Sequence, residues 1–216
     1  MGKTLKRALV LFSGGVDSTT LLYRSLPRYK EVEAISFNYG SKHNDKELQC
    51  ASNICALLKI KHTIISLQLP FKSSLLVGGE SLPHGHYSSE NMKNTVVPFR
   101  NGILLSIAAG YADSEGIEHL LIGAHAGDHP IYPDCRPYFL NKMKEAIQTG
   151  TSNTVHLKFP FQHMTKIKIV SIGLKLGVPY EMTWSCYEGQ DGPCLKCGTC
   201  VERLEAFTKN NMKDPL

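Results

Sequence analysis

No stretch of this 216-residue chain stays apolar over the eighteen or so positions that a membrane helix needs. The opening apolar run, residues 8–12, is too short for a span or a secretory leader, so neither is expected. Gly2 invites comparison with a myristoylation signal, but Lys6 stands where that signal needs Ser or Thr, and the modification is not expected. Runs of basic residues are missing too. Lys and Arg number 24 against 19 acids, a net charge of +5, yet nowhere do five or six cluster or alternate with aromatics. Such a field suits a nucleotide-sized anion, or a plainly solvated surface, better than a DNA or RNA groove. There is no repeat and no low-complexity tract, and 42% hydrophobic with 20% charged residues leaves no case for disorder. These absences point to the cytoplasm, with no membrane and no nucleic-acid partner. Thiols stay reduced there, so the seven cysteines need a reason other than disulfides.

What the chain does have is alternation of short β-branched runs with helical patterns. Strands are expected at 7–12, 32–38, 61–67 and 119–123. Helices are expected at 18–26, 45–59, 103–115, 138–148, 165–175 and 201–209. That rhythm predicts parallel crossovers and an α/β fold, a Rossmann-like doubly wound parallel sheet. Residues 70–94, with Gly78, Gly79, Pro83, Gly85 and five serines, break the pattern as a lid or binding loop would. A main domain over 1–180 and a small C-terminal unit over 181–216 are expected.

The first strand runs into Ser13-Gly14-Gly15-Val16-Asp17-Ser18-Thr19-Thr20 and then a helix. Two glycines at a strand end let backbone N–H groups turn toward an anion, and the helix adds its positive end. Ser13, Ser18 and Thr19 can donate hydroxyl hydrogen bonds to phosphate oxygens. Asp17 repels bare phosphate, so it implies Mg²⁺ or a helix cap. No Lys follows the glycines as in a Walker A loop, and the dinucleotide GxGxxG is absent. An ordinary βα turn with a cap is the bland alternative. The nucleotide site is expected to comprise Leu11, Phe12, Ser13, Gly14, Gly15, Val16, Asp17, Ser18, Thr19, Thr20 and Leu21.

Cys186, Cys194, Cys197 and Cys200 form C-x7-C-x2-C-x2-C, with Gly192, Pro193 and Gly198 supplying turns. Two-residue spacings let thiolates converge on one ion, and four sulfurs with no open position describe structural zinc. An iron–sulfur cluster would use the same ligands. A redox pair is open because CxxC occurs twice in overlap. Cys50 and Cys55 read as core residues, and Cys135 as structural or close to substrate. His62, His119 and His156 read as surface or satisfied core groups rather than ligands.

The SGGxDS loop resembles that of the ATP pyrophosphatases, the PP-loop superfamily of adenine nucleotide alpha hydrolase-like fold. Four further stretches narrow the resemblance: Asn38-Tyr39-Gly40-Ser41-Lys42-His43, Thr95-Val96-Val97-Pro98-Phe99-Arg100-Asn101, Gly123-Ala124-His125-Ala126-Gly127-Asp128 with Tyr132-Pro133-Asp134-Cys135-Arg136-Pro137, and Thr183-Trp184-Ser185-Cys186-Tyr187. Together they look like the 7-cyano-7-deazaguanine synthases, over residues 9–207. The resemblance implies adenylation of a 7-carboxy-7-deazaguanine by ATP, displacement of AMP by ammonia, and a second activation that turns the amide into a nitrile. On this reading Asp17 and Asp128 would hold Mg²⁺, and Arg100 and Arg136 would meet phosphate or the substrate carboxylate. Asp134 would read the deazaguanine ring, and Lys166 would approach the α-phosphate. For Arg100, Asp134, Arg136 and Lys166 a plain surface ion pair is the alternative. A homodimer is implied, and free ammonia is expected because no glutaminase segment is present.

Three places depart from the family pattern: Phe99 where glycine is common, Gly40-Ser41-Lys42-His43 where Gln-Arg-His is common, and Asp128-His129-Pro130-Ile131 before YPDCR. All three fall near the acceptor, so an enzyme that stops at the amide, or one that joins a deazaguanine to a macromolecule, stays open. An RNA-thiolating relative would need a catalytic cysteine, and only Cys135 offers itself. A non-catalytic zinc module on nucleic acid is disfavoured, because the tail from residue 184 balances four Lys or Arg against five acids.

Overall fold

The computed structural model describes residues 4–71, 73, 76, 84–88, 92–189 and 191–216. Strand β1 (Thr4–Leu11) is followed by helix α1 (Val16–Ser25), β2 (Tyr29–Asn38), α2 (Asn44–Leu58) and β3 (His62–Ser66). Then come α3 (Arg100–Ser114), β4 (His119–Leu121), α4 (Pro137–Gly150), β5 (His156–Lys158), α5 (Lys166–Leu176) and α6 (Gly198–Thr208). The sheet is parallel throughout, in the order β3-β2-β1-β4-β5. Every predicted element is present within a few residues. The fifth strand was not anticipated: three residues are too few to show a period, and His156 read as a lone side chain.

Period-two alternation along β1 builds both layers. Leu9 faces a core with Ile35, Phe37, Leu105 and Leu140, which α3 and α4 cover. Ala8, Val10 and Phe12 face the opposite core with Leu21, Ile54 and Ile169, which α1, α2 and α5 cover. Helix α6 joins this layer, packing Ala206 and Phe207 with Val16, Val170 and Tyr180. Arg203 on α6 is buried and fully occupied by Asp214, Thr183 and the Tyr180 carbonyl, which ties the C-terminus down. Among the described residues no helix is long and apolar enough to cross a membrane.

Strand order reverses between β1 and β4, and ligands of open α/β sheets bind at such a switch point, beyond the strands' carboxyl ends. The loops leaving β1 and β4 meet there. A β-carbon on Gly123 would lie 3.5 Å from the Ser18 nitrogen. Most of the 70–94 loop lies outside the described residues. Its segment 84–88 pairs with the cysteine-rich turn, with His84 bridged to Cys197 and Gly85 N donating to the Lys196 carbonyl.

Candidate active site

A cleft of about 220 Å³, open to solvent, lies across the switch point, and residues from β1, α1, α2, α3, the β4 loop, α5 and α6 line it. Buried behind this lining, Gly14 takes φ +80°, and a β-carbon there would meet the Glu47 carbonyl at 2.6 Å and the Ala51 nitrogen at 2.8 Å. Only glycine can thread this turn against the start of α2. Helix α1 begins at Gly15 without a side-chain cap, so its first N–H groups keep their partial positive charge. The Ser13 and Ser18 hydroxyls lie 3.1 Å apart at its mouth. Leu11, Phe12, Ser13, Gly15, Val16, Asp17 and Ser18 line the cleft. Thr19, Thr20 and Leu21 do not: all three are fully buried. The Thr20 hydroxyl is committed to the Val16 carbonyl and Tyr180, and Leu21 packs in the core. The part of this loop that reaches the cleft therefore ends at Ser18, because one helical turn carries the next residues to the inner face.

Asp17 anchors a charged cluster drawn from four segments. Lys166, at the start of α5, donates to Asp17 Oδ2 at 2.5 Å and lies 3.3 Å from Glu202 on α6. His125 Nε2 stands 3.7 Å from Asp17 and 3.6 Å from Asp128. The Gly127 amide donates to His125 Nδ1, which fixes the ring's proton on Nε2, facing the two carboxylates. Tyr87 donates to Asp128 Oδ1. Burial alone would raise the pKa of Asp17, but the charge of Lys166 and its hydrogen bond outweigh it and hold the carboxyl below its ordinary value. Burial would lower Lys166, yet Asp17 and Glu202 overcome it and raise it. Asp17 Oδ1 is buried without a hydrogen-bond partner. That orphaned oxygen and the nearby Asp128 carboxylate suit a hard cation such as Mg²⁺.

At the far end of the cleft Arg100 lies under Tyr39, with 3.3 Å from its Nη1 to the Tyr39 hydroxyl and 6.0 Å from guanidinium to ring centre. Burial opposes its charge, but the surrounding Tyr39, Tyr187, Cys135 and Tyr132 raise its pKa well above the usual value. Arg100 opens α3 behind Phe99, which takes a left-handed φ of +53°. The Phe99 ring lies so close over Gly102 that any β-carbon there would strike it at 2.4 Å. Cys135 is buried, accepts from Asn101 Nδ2, and has its thiol pKa pushed up chiefly by burial. Asp134 and Arg136 are absent from the cleft lining. Asp134 Oδ2 accepts the Asn101 amide at 2.7 Å and so caps α3, while Arg136 is exposed and donates to the His129 carbonyl. The structure brings Asp17, Arg100 and Lys166 into one cleft and leaves Asp134 and Arg136 beside it.

The four cysteines converge, with their sulfurs within 4.8 Å of one another. Backbone amides of Gly189 and Cys194 donate to Cys186 Sγ, and that of Cys197 donates to Cys194 Sγ. Such donors stabilise thiolate ligands, so the set fits a metal. The Trp184 amide donates to the Gly14 carbonyl at 3.1 Å, stitching this knuckle to the phosphate loop. Cys197 starts α6, which then carries Thr199 and Glu202 into the cleft. Sequence reading missed His125, Glu202, Tyr87 and Trp184 as members of the site. Glu202 had a signal, lying two residues past a ligand cysteine on a helix.

A family model described as "Queuosine biosynthesis protein QueC" matches residues 7–211. Proteins named 7-cyano-7-deazaguanine synthase are similar along nearly their full length. That of Hahella chejuensis is 51% identical over 97% of this chain and 92% of its own. That of Desulfotalea psychrophila is 51% identical over 93% of each, and that of Caldicellulosiruptor saccharolyticus 49% over 97% and 94%. Among solved structures, the U34-tRNA thiolase NcsA of Methanococcus maripaludis, described with its 4Fe-4S cluster, aligns with a TM-score of 0.51 at 17% identity. That alignment covers 94% of this chain but only 63% of the thiolase. An NMN synthetase from Francisella tularensis aligns with a TM-score of 0.51 at 13% identity, over 95% of this chain and 84% of its own. These two likenesses are of fold alone. By the family model and by relatives near half identity, the chain belongs to the family of the queuosine biosynthesis protein QueC.

Proposed function

We propose that the protein converts 7-carboxy-7-deazaguanine and ammonia to 7-cyano-7-deazaguanine, spending ATP to activate first the acid and then the amide. One observation carries this reading beyond the family likeness. An uncapped helix N-terminus with an ionised Asp17–Lys166 pair shares a single cleft with a tyrosine-walled arginine. The amides of 13–18 would hold the β- and γ-phosphates, and Lys166 would neutralise charge that gathers at the α-phosphate. Arg100 would grip the acid, since a guanidinium matches a carboxylate in two parallel hydrogen bonds. The chemical difficulty is the leaving group: oxide does not depart from a carbonyl at neutral pH, whereas AMP does. No covalent nucleophile is required, which agrees with Cys135 being buried and spent on Asn101. Asp17 and Asp128 would hold Mg²⁺, which when bound supplies charge neutralisation at the phosphates. Asp134 would fix the start of α3, and through it Arg100.

The knuckle metal in this reading is structural zinc. A single ion at Zn–S distances near 2.3 Å requires sulfurs about 3.8 Å apart. A four-iron cube stands between its ligands and needs them wider than the 4.8 Å found. The nitrogen donor is free ammonia, and the protein is a cytoplasmic homodimer with no nucleic-acid partner. Exposed Phe99 and Tyr138, at the starts of α3 and α4, offer an apolar face for the second copy. Incubation with ATP, ammonium and carboxylate-¹⁸O-labelled acid, read by mass spectrometry, is expected to give labelled AMP and the nitrile. Unlabelled AMP, or AMP release without nitrile, would overturn the reading.

A further inference from the structure

Four carboxylates line the cleft among the described residues. Asp17, Asp128 and Glu202 belong to the cluster around Lys166 and His125, and the fourth, Glu47, does not. It lies on α2, one turn from the phosphate loop, with its own carbonyl against Gly14. It also feels the charge of Arg100 from α3. This puts it between the phosphate end and the arginine end, where an acyl carbon joined to AMP must sit. His43, 3 to 4% exposed, stands at the head of the same helix with Nε2 3.6 Å from Glu47 Oε2. Its ring is stacked on Tyr187 at 4.6 Å, and its Nδ1 is buried without a partner. A half-buried carboxyl and, among the described residues, an imidazole nitrogen left without a hydrogen bond share one wall of the cleft.

We infer that Glu47, with His43 beside it, is the site that binds ammonium and takes its proton before attack on the adenylate. The inference rests on the synthase reading above. Ammonia arrives at neutral pH almost wholly as ammonium, which has no lone pair to attack with. One N–H proton passes to the Glu47 carboxylate, and the freed pair forms the C–N bond at the acyl carbon. The C–O bond to the phosphate oxygen breaks with its electron pair on AMP. A second proton leaves the nitrogen for water, giving amide, AMP and two protons from acyl-adenylate and ammonium. Burial, only partly offset by Arg100, lifts the Glu47 carboxyl to about 8, and burial with Arg100 drops His43 to about 3. At pH 7 the unoccupied carboxyl is therefore protonated, and the charge of an ammonium seated beside it draws it toward the carboxylate that takes the proton. The groups facing Glu47 are Arg100 from α3, Tyr187 from the knuckle, and His43 and Cys50 of its own segment.

The test compares two nucleophiles on the purified enzyme. Hydroxylamine is already unprotonated at neutral pH and needs no base, so it traps the acyl-adenylate as a hydroxamate. In Glu47→Gln the ratio of amide formed from ammonium to hydroxamate formed from hydroxylamine is expected to fall at least 30-fold, and Glu47→Asp to recover part of it. An unchanged ratio in Glu47→Gln overturns the inference, whatever the absolute rates, because a merely structural residue slows both nucleophiles alike. Acid-dependent exchange of labelled pyrophosphate into ATP, measured without either nucleophile, reports folding and adenylation separately. If the unaltered protein lacks that exchange, it is the synthase reading that falls.

Discussion

Replacing Gly14 by Ala perturbs the phosphate loop in two separable ways. Its φ of +80° costs an alanine about 1–2 kcal/mol. The added carbon would press on two backbone atoms, the Glu47 carbonyl at 2.6 Å and the Ala51 nitrogen at 2.8 Å, neither of which can rotate aside. Overpacking of this kind costs about 1–3 kcal/mol more. At roughly 2–4 °C per kcal/mol for a chain of this size, the melting midpoint should fall by about 4–20 °C. Gly116 is the control, since its φ is +64° but nothing lies within 4 Å of a β-carbon there. Gly116→Ala should carry the dihedral cost alone, about 2–8 °C, and leave ATP binding as it was. Thermal melts by circular dichroism with ATP titration by calorimetry decide the matter. Should Gly14→Ala melt within 2 °C or so of Gly116→Ala and bind ATP normally, the steric account of the cradle is wrong.

Two further outcomes follow from the charges and the knuckle. Burial raises Glu47 from an ordinary 4.5 to about 8, so the stability it contributes is whole below the unfolded value and drains away as pH climbs through 8. Glu47→Gln should therefore gain on the unaltered protein by up to about 1.4 kcal/mol per pH unit between those limits, read from denaturant melts at pH 5 to 9; a gap that does not change with pH would contradict it. Removing the metal with a chelator, or losing a ligand as in Cys197→Ser, should loosen α6 and the Trp184–Gly14 hydrogen bond together. ATP affinity should drop at least tenfold, and amide hydrogen exchange should quicken at 12–18; unchanged exchange there would mean that the knuckle and the loop are independent.

The phosphate loop was legible because its signal is local: a strand, two glycines and a helix in consecutive residues. The four cysteines were legible for the same reason. Reading the loop linearly also took in Thr19, Thr20 and Leu21, whose side chains the helix turns into the core. The Lys166–Asp17–His125–Glu202 cluster was only partly visible, because its members are contributed by four separate segments and meet only at the switch point. Asp134 illustrates a different limit. A carboxylate that could read a purine and one that caps α3 look identical in sequence, and only the structure shows the Asn101 amide 2.7 Å from Asp134 Oδ2. Phe99 departs from glycine at a position that takes a left-handed φ, and its ring finds room because residue 102 is itself glycine.

The single hydrogen bond from Trp184 to Gly14 joins residues 170 positions apart. During synthesis the first strand and its glycine turn leave the ribosome early, yet the wall that closes against them is among the last parts translated. A product truncated before residue 184 would therefore have every residue of the 13–18 turn and still lack the amide that holds the Gly14 carbonyl.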